Sequence, residues 1–157
     1  MPSIKRLMLA SFCISVLSST AASAGDHGPR QFYSGWQHHK QGNFHHRNFY
    51  YKPTPDFHGF KHHHVIRPHH DPKHLYFFNP YKAQFWGRCP AEYGDKPVYS
   101  LLAQKDRKAT LAEIPEAAFP KAGELPPIPE SSDGELIDLP PDDSPDESTL
   151  PKATAAK

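Results

Sequence analysis

Cysteine is almost missing from this chain: Cys13 and Cys89 are the two in 157 residues. Cys13 falls within a stretch with the marks of an export signal. A processed chain would keep Cys89 alone, which rules out an intramolecular disulfide. A solitary cysteine in an exported protein is either a buried thiol or a bridge between chains. The position of Cys89 at the end of an aromatic run favours a buried free thiol.

Long apolar runs are lacking too. The longest apolar stretch, residues 7–17, is too short to cross a bilayer. Lys5 and Arg6 precede it, and a run of small residues ending Ala22-Ser23-Ala24 follows. That order of charged, apolar and small segments predicts a signal peptide over residues 1–24. The mature chain is then exported, periplasmic or extracellular, and has no stable membrane span.

Catalytic signatures are also absent. The sequence contains no GxSxG, no glycine-rich phosphate loop, no HExxH and no CxxC. No enzyme is expected. Clusters of Arg or Lys are missing, and the acidic C-terminal part would compete with any polyanion, so no nucleic-acid partner is expected either. Hydrophobic residues make up 37% of the chain, against 18 prolines. That is too little core to order every residue.

Histidine, by contrast, is abundant. All 12 histidines lie between Gly25 and His74, interleaved with Phe32, Tyr33, Trp36, Phe44, Phe49, Tyr50, Tyr51, Phe57 and Phe60. Residues 25–90 hold 9 basic and 3 acidic residues, whereas residues 111–157 hold 3 basic and 11 acidic. This asymmetry leaves two arrangements open: a solvated acidic tail, or a proline-rich tail lying back on the basic half in cis.

The organising stretch is residues 73–90. Leu75-Tyr76-Phe77-Phe78 has strand composition, Asn79-Pro80 suits a type I turn over residues 79–82, and Ala83-Gln84-Phe85-Trp86 returns. In that register Phe78 faces Ala83 and Tyr76 faces Phe85. Tyr76, Phe78, Ala83 and Phe85 then share one face, and Leu75, Phe77, Gln84 and Trp86 the other. A preceding strand near residues 63–67 makes a short antiparallel meander over residues 65–86. Ser100 and the cations Lys105, Arg107 and Lys108 predict one short helix near residues 100–108.

The predicted fold is therefore small and mostly β, an aromatic meander plus one short helix. Its predicted parts are a signal peptide over 1–24 and a His- and aromatic-rich extended or disordered arm over 25–61. An aromatic β module follows over 62–122, and an acidic, proline-rich disordered tail over 123–157.

Three chemistries follow. His62 and His64 would share one side of an extended segment, and His69 or His70 would approach across a turn. Together they offer imidazoles to Zn, Cu or Ni. Cleavage after Ala24 would also expose Gly25-Asp26-His27. Its amine, two amides and imidazole form a square-planar nitrogen set suited to Cu(II) or Ni(II). The aromatic sheet, through Tyr76, Phe78, Phe85 and Trp86, offers a platform for an envelope or extracellular protein partner, or for the chain's own proline-rich tail.

The strings Tyr50-Tyr51-Lys52-Pro53, Tyr76-Phe77-Phe78-Asn79-Pro80-Tyr81-Lys82, Phe85-Trp86-Gly87-Arg88-Cys89-Pro90, Ser100-Leu101-Leu102-Ala103 and Leu139-Pro140-Pro141-Asp142-Asp143 carry a resemblance to a known group. Together with shorter matches between them, they are similar to a family of small exported proteins of planctomycete bacteria. The resemblance spans about two thirds of the chain. It implies export and brings no activity with it.

Overall fold

A computed structural model describes residues 28–145. The expected signal peptide, Gly25-Asp26-His27 and residues 146–157 lie outside them. The fold is small and mostly β. Seven strands form one antiparallel sheet: β1 (Gln31–Tyr33), β2 (Gln37–His39), β3 (Phe44–Tyr51), β4 (Lys61–Pro68), β5 (His74–Asn79), β6 (Gln84–Pro90) and β7 (Ser100–Leu101). Their order is β1-β3-β4-β5-β6-β7, and β2 pairs with the same edge of β3 beyond β1.

The sheet is wider than the expected three-stranded meander, because the stretch expected to be an arm supplies β1, β2 and β3. Strand β3 alternates strictly between buried and half-buried positions. Its inward residues, however, are His45, Arg47, Phe49 and Tyr51. Two polar residues stand where apolar ones normally mark the core face, so the period of two is invisible to hydropathy.

The hairpin of β5 and β6 forms, with a different register. Asn79 pairs with Gln84 and Phe78 with Phe85, and beyond a bulge Phe77 pairs with Gly87, Tyr76 with Arg88 and Leu75 with Cys89. The loop therefore runs over Pro80-Tyr81-Lys82-Ala83, not over two residues. Asn79 closes it as expected, its Oδ1 accepting from the backbone N–H of Tyr81 at 2.9 Å and of Lys82 at 3.2 Å. Ala83 ends it in the left-handed region, with φ 48°. A two-residue type I loop would splay the strands, and extra residues ending in a left-handed one restore their twist. The β2–β3 loop is built the same way, with Asn43 at φ 48°.

The bulge sends Trp86 and Gly87 to the same side of the sheet. Tyr99 lies over Gly87, and a Cβ there would enter the Tyr99 ring and come 2.6 Å from the Ser100 carbonyl oxygen. Gly87→Ala should cost about 1–3 kcal/mol by overpacking, readable as a lowered denaturation midpoint. An unchanged midpoint would show that Tyr99 moves aside freely.

The helix expected over 100–108 is replaced by β7 and a single 3-10 turn, Gln104–Asp106. The apolar opening of that segment is used differently. Leu102 is buried, and the backbone there extends β6: Leu102 N–H donates to the Trp86 carbonyl at 3.0 Å and Phe85 N–H to the Lys108 carbonyl at 2.8 Å.

Each sheet face has its own core. On one, Phe49, Tyr51, Val65, Leu75, Phe77, Trp86 and Cys89 pack with Tyr99, Ile128 and Ile137. On the other, Tyr76 and Phe85 pack with Leu102, Ile114, Leu111 and Phe119. The tail boundary moves accordingly, because residues 125–145 form a strap across the first face. Ile128 N–H donates to the Glu135 carbonyl at 2.7 Å and Ile137 N–H to the Pro126 carbonyl at 3.0 Å. Acidic strap residues meet basic sheet residues: Arg30 with Asp133 at 2.6 Å, Arg47 with Asp143 at 2.5 Å, and Lys61 with Glu130.

Candidate functional site

The covering segments leave part of the sheet open. Residues 102–119 overlie the second face only across β5, β6 and the end of β4. On the same face, β1 to β3 and the start of β4 present Phe32, His39, Phe44, His46, Asn48, Tyr50, His62 and His64, all half-buried or exposed. Their pairing follows from register. Phe32 lies opposite Tyr50 and stacks on it at 4.8 Å. His39 lies opposite Phe44 and stacks on it at 4.6 Å.

Phe60 meets Phe32 edge-on at 4.9 Å, with the Lys52 ammonium 5.0 Å from its ring centre. Tyr81, at the tip of the β5–β6 loop, reaches back to His62, with ring centres 5.8 Å apart. Phe32, Phe60 and Tyr81 are among the large hydrophobic side chains exposed to solvent. Scattered exposed aromatics need no explanation, but a contiguous group does.

Through the same surface runs a row of imidazoles. Ring centres are 6.3 Å apart for His39 and His46, 6.4 Å for His46 and His64, and 5.4 Å for His64 and His62. Burial first, and then the neighbouring imidazoles, hold His46 and His64 below the ordinary histidine value. His46 and His64 are thus neutral near pH 7 and take up protons only as the pH falls. His64 Nδ1 lies 2.8 Å from Asn48 Oδ1, while Asn48 Nδ2 donates to the Tyr50 hydroxyl at 3.2 Å. A carbonyl oxygen can only accept, so Nδ1 carries the proton and Nε2 presents its lone pair.

The proposed metal residues are brought together only in part. His62 and His64 lie on one face of β4, as the period of two requires. His69 and His70 follow the other end of that strand, on the order of 20 Å away at strand rise. The turn does not fold them back. Among the described residues, no group of three or more His, Cys, Asp or Glu is placed to hold a metal ion. The pair that does form is His62 with His64, and His46 stands next to it.

Of the proposed partner-binding residues, Tyr76, Phe85 and Trp86 are each 6% exposed and Phe78 is half-buried. The chain's own segments lie over them, so the free aromatic surface is displaced toward β1 and β3. Sequence reasoning missed that surface. Its signal, Phe44 and Tyr50 on one side of β3, was masked because His46 and Asn48 between them are polar and because aromatic Phe49 lies on the other side.

Cys89 is buried, and burial pushes its thiol up to about 12, so it is an inert core residue here. A further polar cluster pins residues 111–119 to the sheet. Asp71 Oδ2 accepts from the Tyr76 hydroxyl at 2.5 Å and pairs with His74 Nδ1 at 2.8 Å. Arg88 joins Tyr76 to Glu116 and lies over the Phe119 ring at 4.0 Å.

Among the described residues, no helix is long and apolar enough to cross a membrane. Comparison with known protein families, with curated proteins and with solved structures finds no match to this chain.

Proposed function

We propose that this chain is an exported, non-enzymatic interaction module of the cell envelope or exterior. It recognises a protein partner through the open surface of Phe32, Tyr50, Phe60, His62 and Tyr81. The observation that carries this reading is the contiguity of those rings on the part of the sheet that no segment of residues 28–145 covers. The reverse face supplies the chemistry of the partner. There the sheet holds an extended acidic segment, with prolines and branched apolar residues on its aromatics and carboxylates on its arginines. An extended, proline-bearing segment of a second protein meets the aromatic rings of the open face by the same packing.

A Phe32→Ser/Tyr81→Ser variant tests this. Both residues are exposed, so stability should change by no more than about 1 kcal/mol. An envelope protein retained by the wild-type mature chain should be lost from the variant. If both retain the same proteins, the surface is not the recognition site.

Divalent metal binding is the second reading, favoured by the single observation that Asn48 fixes the His64 tautomer. A metal-bound imidazole uses its second nitrogen in this way. His62 and His64 would hold Cu, Ni or Zn as an exchangeable two-imidazole site, with His27 as a separate candidate outside the described residues. Cu(II) titration of a His62→Ala/His64→Ala variant separates the two. Unchanged micromolar binding would remove the strand pair and leave the amino terminus.

A further inference from the structure

Strand β4 carries His62 and His64 two positions apart, so both rings stand on the open face, half-buried and outside the cover of residues 102–119. Their ring centres are 5.4 Å apart, with planes inclined at 65°. A Zn–N bond of about 2.0–2.1 Å puts a metal about 3.2 Å from the centre of each imidazole that holds it, so a tetrahedral angle between two imidazoles needs centres about 5.2 Å apart. The pair on β4 meets that measure. The next imidazole of the row does not. His46 and His64 have centres 6.4 Å apart, which would stretch the nitrogen–metal–nitrogen angle nearly straight.

The neighbours of the pair prepare it for a metal. His64 Nδ1 lies 2.8 Å from Asn48 Oδ1, and His62 Nδ1 lies 3.4 Å from the Tyr81 hydroxyl. With Nδ1 engaged in each ring, Nε2 is the atom left to meet a metal, and the partners of Nδ1 hold the ring planes. Burial, and then the neighbouring imidazoles, keep His64 in its neutral, ligating form near pH 7.

Two ligands do not complete a zinc site. A closed Zn(II) centre takes four in a tetrahedron, and among the described residues no third His, Cys, Asp or Glu joins the pair. The two missing imidazoles exist, already at the right spacing, on a second copy of the chain. A two-fold axis through the metal brings both pairs to it. The surroundings suit such a contact. Tyr81 touches His62, and Tyr50 joins His62 to the exposed Phe32 and Phe60. Face-to-face packing of two copies would cover these rings.

We infer that Zn(II) joins two copies of this chain across their open faces, through His62 and His64 of each. The dimer rests on the divalent-metal reading and adds to it the second copy that completes the site. The metal-free chain then presents its aromatic surface to a protein partner, and the zinc-joined pair withholds it.

Zn(II) is the probe, because an amino-terminal Gly25-Asp26-His27 set selects Cu(II) or Ni(II). Titrated into the mature chain, it should double the mass measured by light scattering, at one zinc per two chains, and a chelator should restore the monomer. The imidazole 15N resonances of His62 and His64 should shift in step, which identifies the ligands without a substitution. His62→Ala/His64→Ala should keep the metal-free melting temperature and stay monomeric with zinc. Zinc held by the pair at one per monomer, with no gain in mass, overturns the dimer and leaves the metal reading standing. Zinc that moves neither resonance nor mass removes the strand pair as a zinc site, and the dimer with it. A zinc-dependent dimer that persists in the double variant, with the two wild-type resonances unmoved, places the metal elsewhere and also overturns the proposal.

Discussion

Truncation after Gly123 should yield a chain that no longer melts cooperatively. The strap supplies Ile128 and Ile137, each 1% exposed, and the buried Pro140. It also roofs Phe49, Tyr51, Val65, Phe77 and Trp86. Emptying one buried isoleucine site costs about 2–5 kcal/mol. Two such losses, with the aromatic face opened to water, match the roughly 5–15 kcal/mol that stabilises a whole domain. Single changes divide the effect. Ile128→Ala and Ile137→Ala should each lower the melting temperature strongly. Asp133→Asn and Glu130→Gln remove surface pairs and should each lower the melting temperature only slightly. High salt should reproduce only the second, smaller loss, because screening acts on exposed charges. A truncated chain that melts within a few degrees of the full one would show the strap to be an ornament on a self-sufficient sheet.

The strap also shows where the sequence was informative and where it was not. The opposite charges of the two halves were plain, and they meet as Arg30 with Asp133 and Arg47 with Asp143. Composition alone could not choose between a solvated tail and a docked one. The deciding residues are Ile128 and Ile137, which are buried and are joined on the core by the partly buried Leu125 and Leu139 of the same acidic, proline-rich stretch. The hairpin at Asn79-Pro80 was legible because its turn chemistry is local. Its register was not, because the left-handed Ala83 and the bulge at Trp86 answer to strand twist and to Tyr99, both distant in sequence. The inward faces of β3 and β4 were hidden for a different reason. His45, Arg47, His63 and Arg67 occupy buried positions, and the partners of the two arginines come from loops and from the strap. Arg47 donates to the Ser34 carbonyl at 2.7 Å, and Arg67 to the Pro72 carbonyl at 2.9 Å. The imidazole pair on β4 was recoverable from the period of two, whereas the site of His69 and His70 required a turn that the chain does not make.

Acidification should unfold this protein well above the range where its carboxylates titrate, and His63 sets the window. Burial first, and then the charges of His62 and His64, lower the His63 pKa from 6.5 to about 3. The folded state therefore keeps it neutral where the unfolded chain protonates it. Between those values the unfolded state binds more protons, so stability falls as pH falls. The contribution is fully present above about pH 6.5, and the loss grows by about 1.4 kcal/mol per pH unit below it. At pH 5 the cost from His63 alone is about 2 kcal/mol, an order-of-magnitude figure for a buried group. Burial lowers His45, His46 and His64 in the same direction, so the observed loss should be steeper than one proton. Asp71 and Glu116, both held below their ordinary values, add their losses only at lower pH. Denaturant midpoints from pH 7.5 to 4 should fall continuously from about pH 6.5. His63→Phe should flatten the slope by about one proton while leaving the His46 and His64 terms in place. A midpoint level down to pH 5 in the wild-type chain, or a slope untouched by His63→Phe, would mean that this imidazole is not buried in its neutral form beneath the strap.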